Sequence, residues 1–344
     1  MTQGEMGGIV RNPNKQTGRV VALTGPRTFL GKSLLGVLEE DQRVARLVTI
    51  DAEAPLAAGG KTRSYVVDRT QPNAAARMAE IFAAEGVDAV VHLGFLEAPT
   101  KNLAYAHELE SVGTLHLLNA CREHGIEKLV MGSATLLYGP HSDNPNFLSE
   151  AHPLRGLRGV PFLADKIDAE RQVEQYARDV PSACVTVLRF APVLGPTIES
   201  YVTRWLSRKR VPTLLGFDPL VQFVHEVDAL AALKLAIERE VRGAFNIVGD
   251  GVLPLSTVIK LAGSSPLPLP HFMVPRVAAL LWLVGLSDVP APMWRFLRHL
   301  CVGDAVRAQA ELGFSPAYTT REAVLEFGAA LRLREARLLT EAYA

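Results

Sequence analysis

Residues 19–38 read Arg-Val-Val-Ala-Leu-Thr-Gly-Pro-Arg-Thr-Phe-Leu-Gly-Lys-Ser-Leu-Leu-Gly-Val-Leu. Val20 to Leu23 form an apolar run short enough for a buried strand. Thr24-Gly25 turns the chain, and Leu30, Leu34, Leu35, Val37 and Leu38 follow at helical spacing. A strand, a glycine turn and a helix make the front of a βαβ unit. The helix start offers unpaired N–H groups and a partial positive charge to a pyrophosphate. The candidate phosphate loop is Gly25, Arg27, Thr28, Phe29, Leu30 and Gly31. It departs from Gly-x-x-Gly-x-x-Gly because Thr28 replaces the middle glycine, where the backbone ordinarily comes close to the phosphates. A threonine is tolerated there at negative φ, with its side chain in space a cofactor would use. A rival reading is a P-loop: Gly25 to Gly31-Lys32-Ser33 has the right residues and one too many, and convergence of N–H groups on a phosphate depends on that count. The plainest reading is a strand–turn–helix without a ligand.

Composition narrows the field. At 344 residues with 48% apolar residues, the chain can hold one large or two modest domains around a substantial core. Formal charge is zero, which leaves no net electrostatic case for nucleic acid or an anionic membrane. Three widely spaced cysteines, Cys121, Cys184 and Cys301, argue against a disulfide framework or a metal site and suit a reducing cytoplasm. Residues 1–17 are polar, lack the apolar stretch of a signal peptide and read as a disordered arm. The longest apolar run, Val277 to Leu286, is too short to span a bilayer.

Along the chain, strands alternate with helices. Leu47 to Ile50 is the second strand and ends in Asp51, where a carboxylate can accept both hydroxyls of an adenosine ribose and repel a 2′-phosphate. Asp51 therefore favours NAD over NADP; Arg27 pulls weakly the other way. Tyr65 to Asp68 reads as a third strand, Ala74 to Glu85 as a helix and Ala89 to Gly94 as a fourth strand. A long helix over 103–124, a strand at Lys128 to Met131, a helix from Pro161 and an apolar, central strand from Cys184 to Phe190 follow. This pattern predicts a doubly wound parallel sheet, Rossmann-type, over 18–196, with returns near 223–250. Residues 197–222 and 251–344 read as a smaller, mainly helical domain.

The order of these pieces resembles one family. The carriers are Thr24-Gly25 to Gly31, Asp51, Val90-Val91-His92-Leu93-Gly94, Gly132 to Gly139, Lys166 on a helix, Leu188 to Pro196 and Phe223 to Asp228. Over residues 18–330 they resemble the extended short-chain dehydrogenase/reductases of the NAD-dependent epimerase/dehydratase branch, of the UDP-glucose 4-epimerase-like kind. The resemblance implies an NAD site that also includes Asp68, Arg69, Leu93, Gly94, Ala191 and Val193. It further implies a small-molecule substrate of nucleotide-sugar type and a homodimer built on the helices near 103–124 and 160–178.

The resemblance also implies a Tyr-x-x-x-Lys pair and a Ser/Thr that exchange protons during hydride transfer. Lys166 is present, but Phe162 stands at the tyrosine position and Ala134 at the Ser/Thr position. Ser133 and Thr135 flank Ala134, pointing to the opposite side of a strand. Glu110 stands where the family often has asparagine, and Val221 where an arginine often grips a diphosphate; Arg204 and Lys209 are the cations at hand to replace it. Asp165 beside Lys166 is a candidate displaced acid, although it lies about 100° around the helix. His92 and His225 read as satisfied core or loop residues, and Lys166 by itself as a solvated helix lysine. Three readings follow. One is an epimerase/dehydratase-family enzyme using another proton path. A second is an inactive dinucleotide-binding sensor or scaffold. The third is contact with a membrane surface through 273–300, where Trp282, Trp294, Arg295 and Arg298 accompany apolar residues; two ordinary buried helices are the plainer expectation there.

Overall fold

The computed structural model describes residues 18–53 and 59–342; the arm expected over 1–17 lies outside them. Seven strands form one sheet: β1 (Arg19–Thr24), β2 (Val44–Asp51), β3 (Thr62–Val66), β4 (Ala89–His92), β5 (Lys128–Ala134), β6 (Cys184–Phe190) and β7 (Gly243–Ile247). The spatial order is β7-β6-β5-β4-β1-β2-β3, and every pairing is parallel. The helices are α1 (Phe29–Glu40), α2 (Ala74–Glu85), α3 (103–124), α4 (Pro161–Asp179), α5 (Tyr201–Leu206), α6 (Glu226–Glu238), α7 (Leu255–Leu261), α8 (Val274–Leu283) and α9 (Thr320–Ala342). Strand order reverses between β1 and β4, which opens a crevice beyond their carboxyl ends.

The period-two alternation of strands sorts side chains between two cores. Val21 and Leu23 pack with Leu34 and Leu38 of α1 and Ala229 and Leu233 of α6. Ala22 packs on the opposite face with Met78 and Phe82 of α2, Leu117 and Cys121 of α3, and Val173 of α4. With both faces covered, strands read as continuous apolar runs. In β6 all seven residues are buried, and the strand has neighbours on both sides, with β7 returning at the edge.

The smaller part is mainly helical. Its core joins Leu206, Leu255, Val258, Ile259, Val324 and Phe327, and it also carries a parallel pair of short strands, Arg210–Leu214 and Ser265–Leu269. Among the described residues no helix is long and apolar enough to cross a membrane, and no His, Cys, Asp and Glu group could hold a metal ion. All three cysteines are free thiols.

Three local expectations are corrected. The third strand lies at Thr62–Val66 rather than 65–68, because pairing of Leu47 to Asp51 with Thr62 to Val66 sets its register. The long helix is interrupted by a π-turn at Glu108–Val112. The region 273–300 is not a pair of buried helices. Helix α8 buries only Val274 and Ala278, while Leu283 and Leu286 are 74% and 69% exposed, because only the 3₁₀ turns at Ala291–Leu297 pack strongly on it.

Gly25 is at φ 73°, and a β-carbon there would stand 2.5 Å from the Gly94 backbone. Gly25→Ala is expected to cost more than about 1 kcal/mol in urea unfolding. Gly36→Ala, in α1 with open space around it, should instead stabilise by about 0.5–1 kcal/mol. A Gly25→Ala chain as stable as the wild type would contradict this account.

Candidate functional site

The phosphate loop closes on itself. Gly31 sits against the Gly25 carbonyl too closely for a side chain. Thr28 has φ −65° and caps α1: its hydroxyl accepts the Gly31 N–H at 3.1 Å and donates to the Gly25 carbonyl at 2.8 Å. The side chain is thus folded into its own loop, which corrects the expected intrusion into cofactor space, although Thr28 still lines the cleft. The Phe29 amide donates to Glu97 Oε1 at 2.6 Å. A carboxylate therefore stands in for an anion at the start of α1, and burial raises its pKa above the ordinary glutamate value. The P-loop reading falls: Ser33 donates to the Phe29 carbonyl at 3.2 Å within its own helix, and Lys32 is exposed.

Beside the crevice, Asp51 ends β2 and accepts the Ala52 amide at 2.7 Å. Arg27 pairs with Glu53 at 2.8 Å. Asp68 accepts the amide and hydroxyl of Thr70 at 2.9 and 2.8 Å and Gln71 Nε2 at 3.1 Å. Burial pushes that carboxyl up, but these bonds outweigh burial and hold it below the ordinary aspartate range. Arg69 is buried, which lowers its pKa; one amino group donates to the Gly94 carbonyl, and Nη1 has no partner among the described residues.

The deep cleft, about 180 Å³, brings together Thr28, Phe29, Leu30, Leu93, Ala134, Phe162, Lys166, Ala191 and Val193. Gly25, Arg27, Gly31, Asp51, Asp68, Arg69 and Gly94 do not line it. Lys166 is not a solvated helix lysine. Its ammonium lies 3.1 and 3.2 Å from the Glu110 carboxylate oxygens and 4.9 Å from the rings of both Phe95 and Phe162. Glu110 sits on the π-turn, fully buried, and also accepts the Leu96 amide at 2.6 Å. Burial pushes its carboxyl above 4.5, against the pull of Lys166.

The neighbours of Ala134 do not replace the missing hydroxyl. Ser133 donates to Glu170, which also holds Arg189, and Thr135 faces the Phe190 carbonyl at 3.4 Å. Asp165 pairs with His107 at 2.9 Å, so it is no displaced acid. His92 is satisfied between the hydroxyls of Thr24 at 2.6 Å and Thr114 at 3.1 Å, and burial keeps it well below the ordinary histidine pKa. His225 caps α6 and stacks on Tyr318.

A second chamber of about 170 Å³ continues the first, sharing Leu136, Pro192, Tyr201 and Val202. Neither Arg204 nor Lys209 lines it: Arg204 turns to Asp288 at 3.3 Å, and Lys209 is exposed. Arg208 does line it. Sequence reasoning singled out Glu110 without its partner, chose Arg204 and Lys209 over their neighbour Arg208, and missed Glu97 and Phe95; no local pattern marks these two, since each is placed by a loop.

A Rossmann-type sheet with a glycine turn and a helix start at its switch point is the frame on which dinucleotide sites are built. The profile of the NAD dependent epimerase/dehydratase family matches residues 21–248, and the chain belongs to that family. The chain is 32% identical over 312 residues to an uncharacterised protein of Mycobacterium tuberculosis, covering 89% of this chain and 82% of that one. It is 27% identical over 273 residues to the 3-diazoavenalumate denitrifying reductase of a Streptomyces species, covering 75% and 86%. Among solved structures, dTDP-glucose 4,6-dehydratase from Bacillus anthracis in complex with NAD shares the fold at a TM-score of 0.69 and 16% identity, over 93% of this chain and 98% of that one.

Replacing Lys166 by Met would leave the Glu110 carboxylate buried and unpaired, at an expected cost of about 3 kcal/mol at pH 8. Burial raises the Glu110 carboxyl above the ordinary glutamate value in the folded chain. The folded state therefore keeps a proton that the unfolded state releases, and stability falls as pH rises through that window. The cost of Lys166→Met should accordingly shrink at pH 5 and lose its pH dependence when Glu110→Gln is added. Equal costs at both pH values in urea unfolding would refute the assignment.

Proposed function

We propose that this chain binds NAD at the loop 25–31 and holds a small substrate beside Lys166, without a tyrosine-based proton step. The observation that carries the reading is the surrounding of Lys166: a carboxylate and two phenyl rings, while the phenol on the cleft wall, Tyr201, comes from α5 and has its pKa pushed up by burial. Bound NAD would supply the hydride acceptor. The start of α1 suits its pyrophosphate once Glu97 gives way, since that end already holds a carboxylate. Asp51 and Glu53 disfavour a 2′-phosphate, and Arg27 is already held by Glu53. Leu93, Ala191 and Val193 form an apolar wall for the nicotinamide half. Phe162 cannot exchange a proton, so proton transfer is left to water or the substrate itself. The three free thiols suit a reducing cytoplasm.

Calorimetry should give NAD+ binding at least about tenfold tighter than NADP+, the difference that a repelled 2′-phosphate implies. General acid–base groups contribute roughly 10²–10⁴-fold. NADH formation with secondary alcohols should therefore be slow, and rise more than about tenfold in the Phe162→Tyr, Ala134→Ser variant. No NAD binding, or brisk turnover with Phe162 intact, would sink this reading.

A second reading concerns surfaces, and the exposure of α8 favours it. Phe272, Met273, Val277, Leu280, Leu283 and Leu286 are exposed together, with Arg276 nearby and Lys101 donating to the Leu283 carbonyl. In this reading the face rests on an anionic bilayer surface, while Leu103, Tyr105 and Leu115 on α3, also exposed, face a second copy of the chain. Phosphatidylglycerol vesicles at low salt should pellet the wild type and release a Leu283→Asp, Leu286→Asp variant. Light scattering should give twice 37.3 kDa. A monomer that stays in the supernatant would remove both contacts.

A further inference from the structure

The second chamber adjoins the first through Leu136, Pro192, Tyr201 and Val202, so its chemistry bears on what is held there. Its walls are largely aromatic and aliphatic, Trp205, Phe223, Met293, Phe296 and Leu297 among them. At about 170 Å³ it exceeds the ~150 Å³ apolar cavity that takes a benzene ring. Burial of apolar ligand surface is the main driving force such walls offer.

Most of its polar groups are already engaged by the chain. Gln222 donates to the Gly249 carbonyl at 3.2 Å and accepts the Gly303 amide at 3.1 Å. Asp288 faces Arg204 at 3.3 Å, and the Ser287 hydroxyl donates to the Val289 carbonyl at 2.8 Å. The Cys301 thiol, pushed up to about 12 by burial, contacts the Thr135 carbonyl. Burial, with Arg298 and Arg295, holds His299 below the ordinary histidine value, so it adds no cation at neutral pH. Two groups remain. The exposed guanidinium of Arg208 has no partner among the described residues, and the buried indole N–H of Trp294 has no acceptor.

A nucleoside diphosphate sugar brings two phosphates, a base and several hydroxyls into such a space. One cation and a few neutral groups cannot match two phosphates, and unpaired charges are costly to bury. An apolar body with a single anionic group matches the inventory. We propose that the second chamber takes the apolar part of a singly charged anionic amphiphile, such as a medium-chain carboxylate, and that Arg208 holds its anionic group. This deepens and rests on the reading of the first cleft as the NAD site, because the shared Leu136, Pro192, Tyr201 and Val202 place the amphiphile's inner end next to it.

The test uses the full chain saturated with the dye 8-anilinonaphthalene-1-sulfonate. Dodecanoate should displace the dye about tenfold more tightly than dodecan-1-ol, the increment of a charge-assisted hydrogen bond. UDP-glucose should not displace it at millimolar concentration. Arg208→Met should weaken dodecanoate about tenfold and leave dodecan-1-ol unchanged, whereas Lys209→Met, at an exposed neighbour outside the chamber, should change neither. The proposal is overturned if UDP-glucose displaces the dye, if no amphiphile does, or if Arg208→Met and Lys209→Met behave alike. NAD+ titration of the same samples separates the two readings: intact NAD+ binding with no dodecanoate effect removes only the amphiphile, and the reverse removes only the NAD site.

Discussion

The backbones of Gly25 and Gly94 lie so close that a β-carbon on the first would stand 2.5 Å from the second. The carboxyl ends of β1 and β4 can approach this way only with a glycine at φ 73°. That approach sets where α1 begins. Thr28 can then cap the helix, Gly31 can sit over the Gly25 carbonyl, and the Phe29 amide is turned into the crevice. Arg69, beyond the end of β3, fastens to the Gly94 carbonyl from the other side. The loop, the cleft wall at Leu93 and the anion position all depend on this one contact between two backbones.

Charge in the cleft follows a second constraint, the burial of carboxylates. Glu110 would be costly alone in the interior and is tolerated because Lys166 and the Leu96 amide face it. The same pairing neutralises the lysine. The π-turn matters here, because it carries Glu110 within reach of the lysine on α4. Glu97 repeats the theme at α1, a carboxylate held by a helix N-terminus. The outcome is a site with little net charge and with Phe162, not a tyrosine, at the motif position on the helix of Lys166, joined to a chamber whose walls are largely apolar.

Much of the fold was legible in the residues. Ala74–Glu85 and Cys184–Phe190 stand where pattern placed them, because an amphipathic period and a doubly covered strand are local properties. Tyr65 to Asp68 misled because apolar content suggested a strand, whereas Thr62–Val66, a half-exposed edge, is held by pairing with β2. Helix α8 misled in the other direction. Its apolar side chains suggested burial, but composition does not say whether another element will cover a face.

By itself, the sequence determined the alternation of strands and helices, the glycines at 25 and 31, and the absence of a hydroxyl at Ala134 and Phe162. Each is a property of one residue or of a short period. Only the tertiary structure decided that Lys166 faces Glu110, 56 positions away, and that Glu97 reaches Phe29 across 68. Sheet order and helix packing bring such partners together, and a carboxylate's charge depends on how much water that packing leaves around it.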